Sequence, residues 1–431
     1  MIRRAVLRPW LVSTLAAADI DPGKHVTRSA SEGSAQNPTR TSGSIRVVSI
    51  DVFRGLVMFL MLAEVMQLWT LHDAFPASRF WAIVAYNTTH VAWQGCSLHD
   101  LIQPAFSFLV GAALPFSIAS RIARGASFGT LFGHALWRSV MLMALGIFVR
   151  SIDRAGTYWT FEDTLTQIGL GYSFLFVLAF ASLRVQAAVF TLILVAFWLA
   201  FVLYPAPDAS FDYTKVGVPS NWPHLYTGFL AHFNKNSNLS WAFDVWFLNL
   251  FPRQAPFRFN SGGWSTLSFI PTLATMMLGL WTGEWLKRTR PPAATFKGLV
   301  AAGVSLTLAG IVLQWLHLCP IVKRIWTSSY TLYSGGLVIL ILAALYWAIE
   351  WKGWRRWSFP LQVIGANSIA IYILSWTMEH FTMSAIVRHL GRSPFLVLGP
   401  PFEPVLKGLS VLIAYWLILY WMYRKKIFLR I

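Results

Sequence analysis

Apolar residues in this chain run in blocks too long and too continuous for the one-sided stripe of a soluble helix. Stretches of about 20 residues, the length that crosses a hydrocarbon core about 30 Å thick, occur at 48–71, 98–120, 128–150, 163–182, 187–205, 264–286, 296–316, 328–350, 359–378 and 404–423. The pattern predicts an all-α, polytopic transmembrane bundle of about ten spans. Two connections stand out by length, 72–97 and 206–262. Within 98–120, Asp100, Gln103, Ser107 and Gly111 recur at steps of three and four, so they share one helix face that must line protein or water rather than lipid.

Basic residues orient the segments. Arg121 and Arg124, Arg184, Lys287 with Arg288 and Arg290, Lys352 with Arg355 and Arg356, and Arg424 with Lys425 and Lys426 all fall at ends that alternate counting assigns to one side. The positive-inside bias makes that side cytoplasmic, with both termini inside and the loops 72–97 and 206–262 outside. A composition of 56% hydrophobic and 12% charged residues excludes a soluble globule. The net charge of +18 would suggest nucleic acid only as a basic stripe; here the cations cluster between apolar blocks, so no nucleic-acid partner is expected.

Residues 1–45, rich in Ser, Thr, Gly and Arg around a weak apolar patch at Trp10–Ala18, read as a disordered cytoplasmic tail preceding a membrane domain at 46–431. A bacterial-type chain lacking a sorting signal would reside in the inner membrane. Cys96 and Cys319 fall on the same outer side, where an oxidising compartment could link them. The segment 206–262 carries Trp222, Tyr226, His232, Asn234, Asn236, Asn238, Trp241, Asp244 and Trp246, a mixture that suits a sugar or, equally, an interfacial aromatic belt with turn-forming Asn. Walker A, Gly-x-Gly-x-x-Gly, zinc-spacing and Gly-x-Ser-x-Gly patterns are missing from the sequence.

The stretch His90-x-x-Trp93-x-Gly95, followed by Asp100-Leu-x-x-Pro104-x-Phe106-x-Phe108-x-x-Gly111, resembles the membrane domain of the heparan-alpha-glucosaminide N-acetyltransferase family and its bacterial relatives. Ser49-Ile-Asp51-Val-Phe53-Arg54-Gly55, Pro271-Thr-Leu-Ala-Thr275, Trp326-Thr-Ser-Ser-Tyr330 and Gly365-Ala-Asn367-Ser-Ile-Ala-Ile-Tyr372 extend the resemblance, in order, over roughly 46–425. It implies an acetyltransferase using acetyl-CoA, with His90 on the family's catalytic histidine. Two departures bear on the acceptor: many relatives carry an Asn near the outer end of the first span, where this chain reads Leu62-Ala-Glu64-Val-Met66, and a Gln-Arg pair where it reads Thr166-Gln167.

Amine acetylation needs a group that takes a proton near neutral pH, which suits imidazole. By position alone His90 is an interfacial histidine bonded to a loop carbonyl; the resemblance gives it the catalytic role. Asp100 is its natural orienting partner, all the more because Pro104 deprives the carbonyl of residue 100 of its helical donor. Glu64 is the alternative base. For coenzyme A, the candidates are Arg54, which also pairs locally with Asp51, together with Arg121, Arg124 and Arg138 for the phosphates. Arg138 follows His134 by one helical turn, and Gln167 lies within a span. Asn367, in the Gly-x-Asn motif, is expected to bond between helices or to the ligand. The expected partners are an amino-sugar acceptor and the lipid bilayer, with a homodimer left open. A transporter or lipid-linked glycan handler, making no bond, is the competing class, although no internal repeat supports it.

Overall fold

The computed structural model describes residues 47–429, so the expected tail at 1–45 lies outside the described residues. The fold is all-helical. Helices α1 (Val48–Leu62), α2 (Arg79–Thr88), α3 (Ile102–Ile122), α4 (Phe128–Ser151), α5 (Thr164–Ala179), α6 (Leu183–Leu203), α7 (Leu239–Phe247), α8 (Phe269–Lys287), α9 (Pro292–Trp315), α10 (Ser328–Tyr346), α11 (Phe359–Ala366), α12 (Ser368–Leu390) and α13 (Glu403–Arg424) follow in order. Among the described residues the β-type pairing is one isolated antiparallel bridge, Gln94 to Val322.

Every predicted apolar block contains a helix, but six, not ten, are long and apolar enough to cross a membrane by themselves, or seven if the bent pair α11/α12 is one span. The difference lies in length for α1 and α5 and in packing for α8. Helix α1 is 15 residues long and ends in a tight turn at Ala63–Met66, and α5 is 16 residues. Helix α8 is packed among other helices along most of its length, with Thr272, Thr275, Gly279, Thr282 and Gly283 buried, so protein neighbours rather than lipid set its composition.

Small residues bring the central helices together. A methyl group on Gly279 would lie 1.9 Å from the Phe108 carbonyl oxygen and one on Gly111 1.9 Å from that of Met276, so the α3 and α8 backbones touch directly. Gly55 on α1 meets the Leu361 carbonyl on α11 in the same way. This close approach replaces the hydrophobic drive that lipid cannot supply between helices.

The predicted span 359–378 is broken: α11 and α12 meet at Asn367 with a 68° bend. Asn367 is wholly buried; its amide donates to the Ile427 carbonyl at 3.0 Å and accepts from the Leu429 N–H at 3.1 Å. The broken backbone is thus closed by the segment that follows α13.

The long connection 206–262 is ordered by its asparagines. Asn234 bonds Tyr213, Tyr226 and the Tyr226 N–H; Asn236 donates to the Val216 and Asn260 carbonyls; Asn238 caps α7 at the Trp241 N–H. All three are buried, which favours the turn-forming reading of these amides. Cys96 and Cys319 are free thiols.

Candidate active site

At one end of the bundle the α1 terminus, the loop before α3, the α4–α5 connection, the start of α8, the loop before α10 and α12 enclose a cavity of about 420 Å³. His90, Glu64, His99, Gln103, Arg150, Asp163, Trp264, Lys323, Tyr372 and Trp376 are among its walls. The face Asp100–Gln103–Ser107–Gly111 divides as expected: Gln103 reaches the cavity, while Asp100, Ser107 and Gly111 are buried against protein.

The loop carrying His90 is held before any chemistry is considered. Trp93 is fully buried and donates its indole N–H to the Phe233 carbonyl. Gly95 adopts φ 112°, open to glycine and strained for other residues, and donates to the Ile321 carbonyl beside the Gln94–Val322 bridge. Ser97 and Asp100 then form a reciprocal cap at the start of α3: the Ser97 hydroxyl accepts the Asp100 N–H at 3.2 Å, and Asp100 Oδ2 accepts the Ser97 N–H at 3.1 Å.

Asp100 is 1% exposed, and its other oxygen sits 2.7 Å from His90 Nδ1. Oδ2 also accepts the Val91 N–H, and Lys323 Nζ lies 3.2 Å from Oδ1. With donors on both oxygens the carboxyl holds its charge, and a 2.7 Å contact then requires the imidazole proton on Nδ1. Nε2 is left as the basic nitrogen on a side chain still 38% exposed. Burial pushes the His90 imidazole below its ordinary value; the Asp100 hydrogen bond opposes this, and the Lys323 charge adds to it. Both burial and the Lys323 charge favour the neutral ring. Trp264 packs edge-on to it at 5.3 Å and His99 at 4.4 Å. Cys96 offers no competing nucleophile, since burial pushes its thiol up to about 12.

The opposite wall is a second polar cluster. Arg150 Nε bonds Asp163 Oδ2 at 3.0 Å, Asp163 Oδ1 caps α5 at the Leu165 N–H, and the Tyr372 hydroxyl donates to Asp163 at 3.0 Å. The Arg150 guanidinium lies 4.5 Å from the Trp376 ring centre. Glu64 stands 3.9 Å from His99.

Of the residues singled out by sequence, the cavity gathers His90, Glu64 and Gln103 with Asp100 directly behind. The others lie elsewhere. Arg54 contacts Asp51 at 3.5 Å, and Arg124 donates to the Ser120 carbonyl. Arg121, His134 and Arg138 share a small cleft with Tyr172 near the α3 C-terminus, with the Arg138 guanidinium 5.0 Å from the Tyr172 ring centre. Gln167 bonds the Phe161, Ser265 and Thr266 carbonyls and serves the fold. Sequence reasoning missed Lys323, Trp264, Arg150 and Asp163. The first had a signal: Lys323-Arg324 sits at the helix ends opposite to the other basic clusters, against the charge bias.

No protein-family model matches the chain. It is similar to heparan-alpha-glucosaminide N-acetyltransferase of Mus musculus, 23% identical over 426 residues, covering 86% of this chain, and to that of Homo sapiens, 24% identical over 433 residues, covering 90%. The chain is a distant relative of these acetyltransferases. The matched part spans 60% of the length of each.

Proposed function

We propose that this chain is a membrane acetyltransferase that moves an acetyl group from acetyl-CoA to the amino group of a glucosamine-type sugar, with His90 as the base. The observation that supports this most is the 2.7 Å contact of His90 Nδ1 with buried Asp100, which leaves Nε2 basic on the wall of a cavity of substrate size.

Acetyl-CoA supplies an activated thioester carbonyl. His90 Nε2 takes the proton of the acceptor amine as the C–N bond forms, and Asp100, by accepting from Nδ1, fixes the ring's orientation. As the C–S bond breaks, His90 returns that proton to the leaving sulfur, giving free thiol and the acetamido sugar. Glu64 lines the same cavity as His90, where it would steady a cationic acceptor or serve as the alternative base.

For the donor's phosphates, Arg121, Arg124 and Arg138 at the basic end are the chemically suited set. Arg138 Nε is buried without a hydrogen-bond acceptor, as a cation prepared for an anion would be. In this reading the donor enters from the cytoplasm, the sugar from the outer face, and the protein resides in a bacterial inner membrane.

The test is direct. Detergent-purified protein incubated with acetyl-CoA and glucosamine should release thiol and N-acetylglucosamine in equal amounts, and His90→Ala should abolish both. Binding of the sugar without thiol release would instead assign a transport or handling role.

A further inference from the structure

Lys323 is 3% exposed, an unusual place for an ammonium group. It comes from the loop before α10, 233 positions from His90, yet its Nζ lies 3.3 Å from His90 Nδ1 and 3.2 Å from Asp100 Oδ1, and 5.2 Å from the Trp264 ring centre. The loop that delivers it is fixed at several points. Val322 bridges to Gln94, and Arg324 donates to the Val91 and Gly262 carbonyls. Trp326 closes the turn onto the Lys323 carbonyl at 2.8 Å with φ 47°, a left-handed conformation uncommon for an aromatic residue. Its buried indole is held by Thr275. Such strain persists only where the surroundings over-determine it.

We propose that Lys323 is a positioning residue for His90: by sharing Asp100 Oδ1 it keeps the carboxylate from stabilising an imidazolium, and so holds His90 as a neutral base with its proton on Nδ1. Without Lys323, Asp100 would act on His90 unopposed by this charge, and a larger fraction of the histidine would be protonated at a given pH. With Lys323, the same carboxylate orients the ring while its charge is spent on the lysine. Burial lowers the lysine itself, and the carboxylate opposes that lowering.

The other charged or titratable groups around the ring do not substitute for it. His99 packs on His90 from the start of α3, and Arg324 neighbours Lys323 but turns to backbone carbonyls. Glu64 reaches toward His99, while Arg150, Glu162 and Asp163 line the same cavity, with Arg150 and Asp163 bonded to each other.

This inference takes its functional meaning from the proposed acetyl transfer, but its test does not depend on that activity. Full-length protein in detergent is treated with diethyl pyrocarbonate across pH 4.5–8.5, and the rate of modification at His90, which reports the free-base fraction, is followed by mass spectrometry of the His90 peptide. Lys323→Met should move the midpoint of His90 modification to higher pH by about one unit or more, roughly a tenfold change in free-base fraction at a given pH. Lys323→Arg, which retains the charge, should leave the midpoint within about half that shift. If the methionine variant fails to fold, Lys323→Gln is used with the same expectation. A folded neutral variant whose profile overlays the wild type overturns the proposal. A protein inactive in acetyl transfer would still show the shift, so the two readings fail separately.

Discussion

The Tyr330 hydroxyl donates to the backbone carbonyl of Asp100 at 2.7 Å, 230 positions away in the chain. That carbonyl is the one Pro104 leaves without a helical donor, and Tyr330 is fully buried. The phenol therefore fixes the backbone that aims the carboxylate. Tyr330→Phe should destabilise the protein by about 1–3 kcal/mol, the cost of a buried acceptor left unpaired. Denaturant unfolding measures the loss; unchanged stability would mean that another donor reaches the Asp100 carbonyl.

Asp100→Asn removes the charge that orients His90 while leaving the volume. Acetyl transfer should fall by about 10²–10⁴-fold, with acetyl-CoA binding retained. The sign of the pH effect follows from the contacts: burial lowers His90 and Asp100 raises it, so the acid limb of kcat/KM should lie below pH 6.5 in the wild type and lower still in the variant. A limb that moved upward would contradict the assignment of the base.

Asp244 gives a stability prediction away from the chemistry. It is buried in α7, its Oδ2 accepts the Thr266 N–H and its Oδ1 has no partner, and burial raises it to about 7. The folded state thus binds this proton more tightly than the unfolded chain, so the contribution is complete below about pH 3.8 and is lost as pH rises through 7. Asp244→Asn should raise the thermal midpoint at pH 8 and change it little at pH 4.5. A lower midpoint at pH 8 would mean that the carboxylate meets a cation in solution.

The proposed donor site is tested at the basic end. Arg121→Ala and Arg138→Ala should each weaken acetyl-CoA binding by about 1.5–3 kcal/mol, the worth of a hydrogen bond to a charged group. Isothermal titration with each folded variant is the measurement. Full affinity in both would move the phosphates elsewhere.

Much of this architecture is legible in the residues. Apolar blocks located each long helix, and the three- and four-residue steps from Asp100 to Gly111 marked a face that meets protein and cavity. Proline chemistry pointed at the Asp100 carbonyl, although nothing in the sequence near it named Tyr330 as the donor. Broken or packed segments were harder. An apolar run reads alike whether it meets lipid or other helices, so the pattern does not separate α1, α5 and α8 from the six helices long and apolar enough to cross by themselves, and Asn367 gives no warning of a 68° bend. The cavity's far wall, Arg150 with Asp163, joins the end of one helix to the start of the next, and neither residue carries a periodic signal. Lys323 was visible only as an exception to the charge bias.

The bridge between Gln94 and Val322 joins the early and late parts of the chain where His90 and Lys323 meet. Few contacts in a helical bundle span so much sequence, and closing so long a loop comes late because its entropy must be met before the contact rewards it. His90, Asp100 and Lys323 therefore form a clasp whose closure depends on the docking of the helices between them. Partly assembled chains would carry normal helix content and an open clasp, so contact across the clasp, rather than helicity, is the sensitive gauge of correct folding.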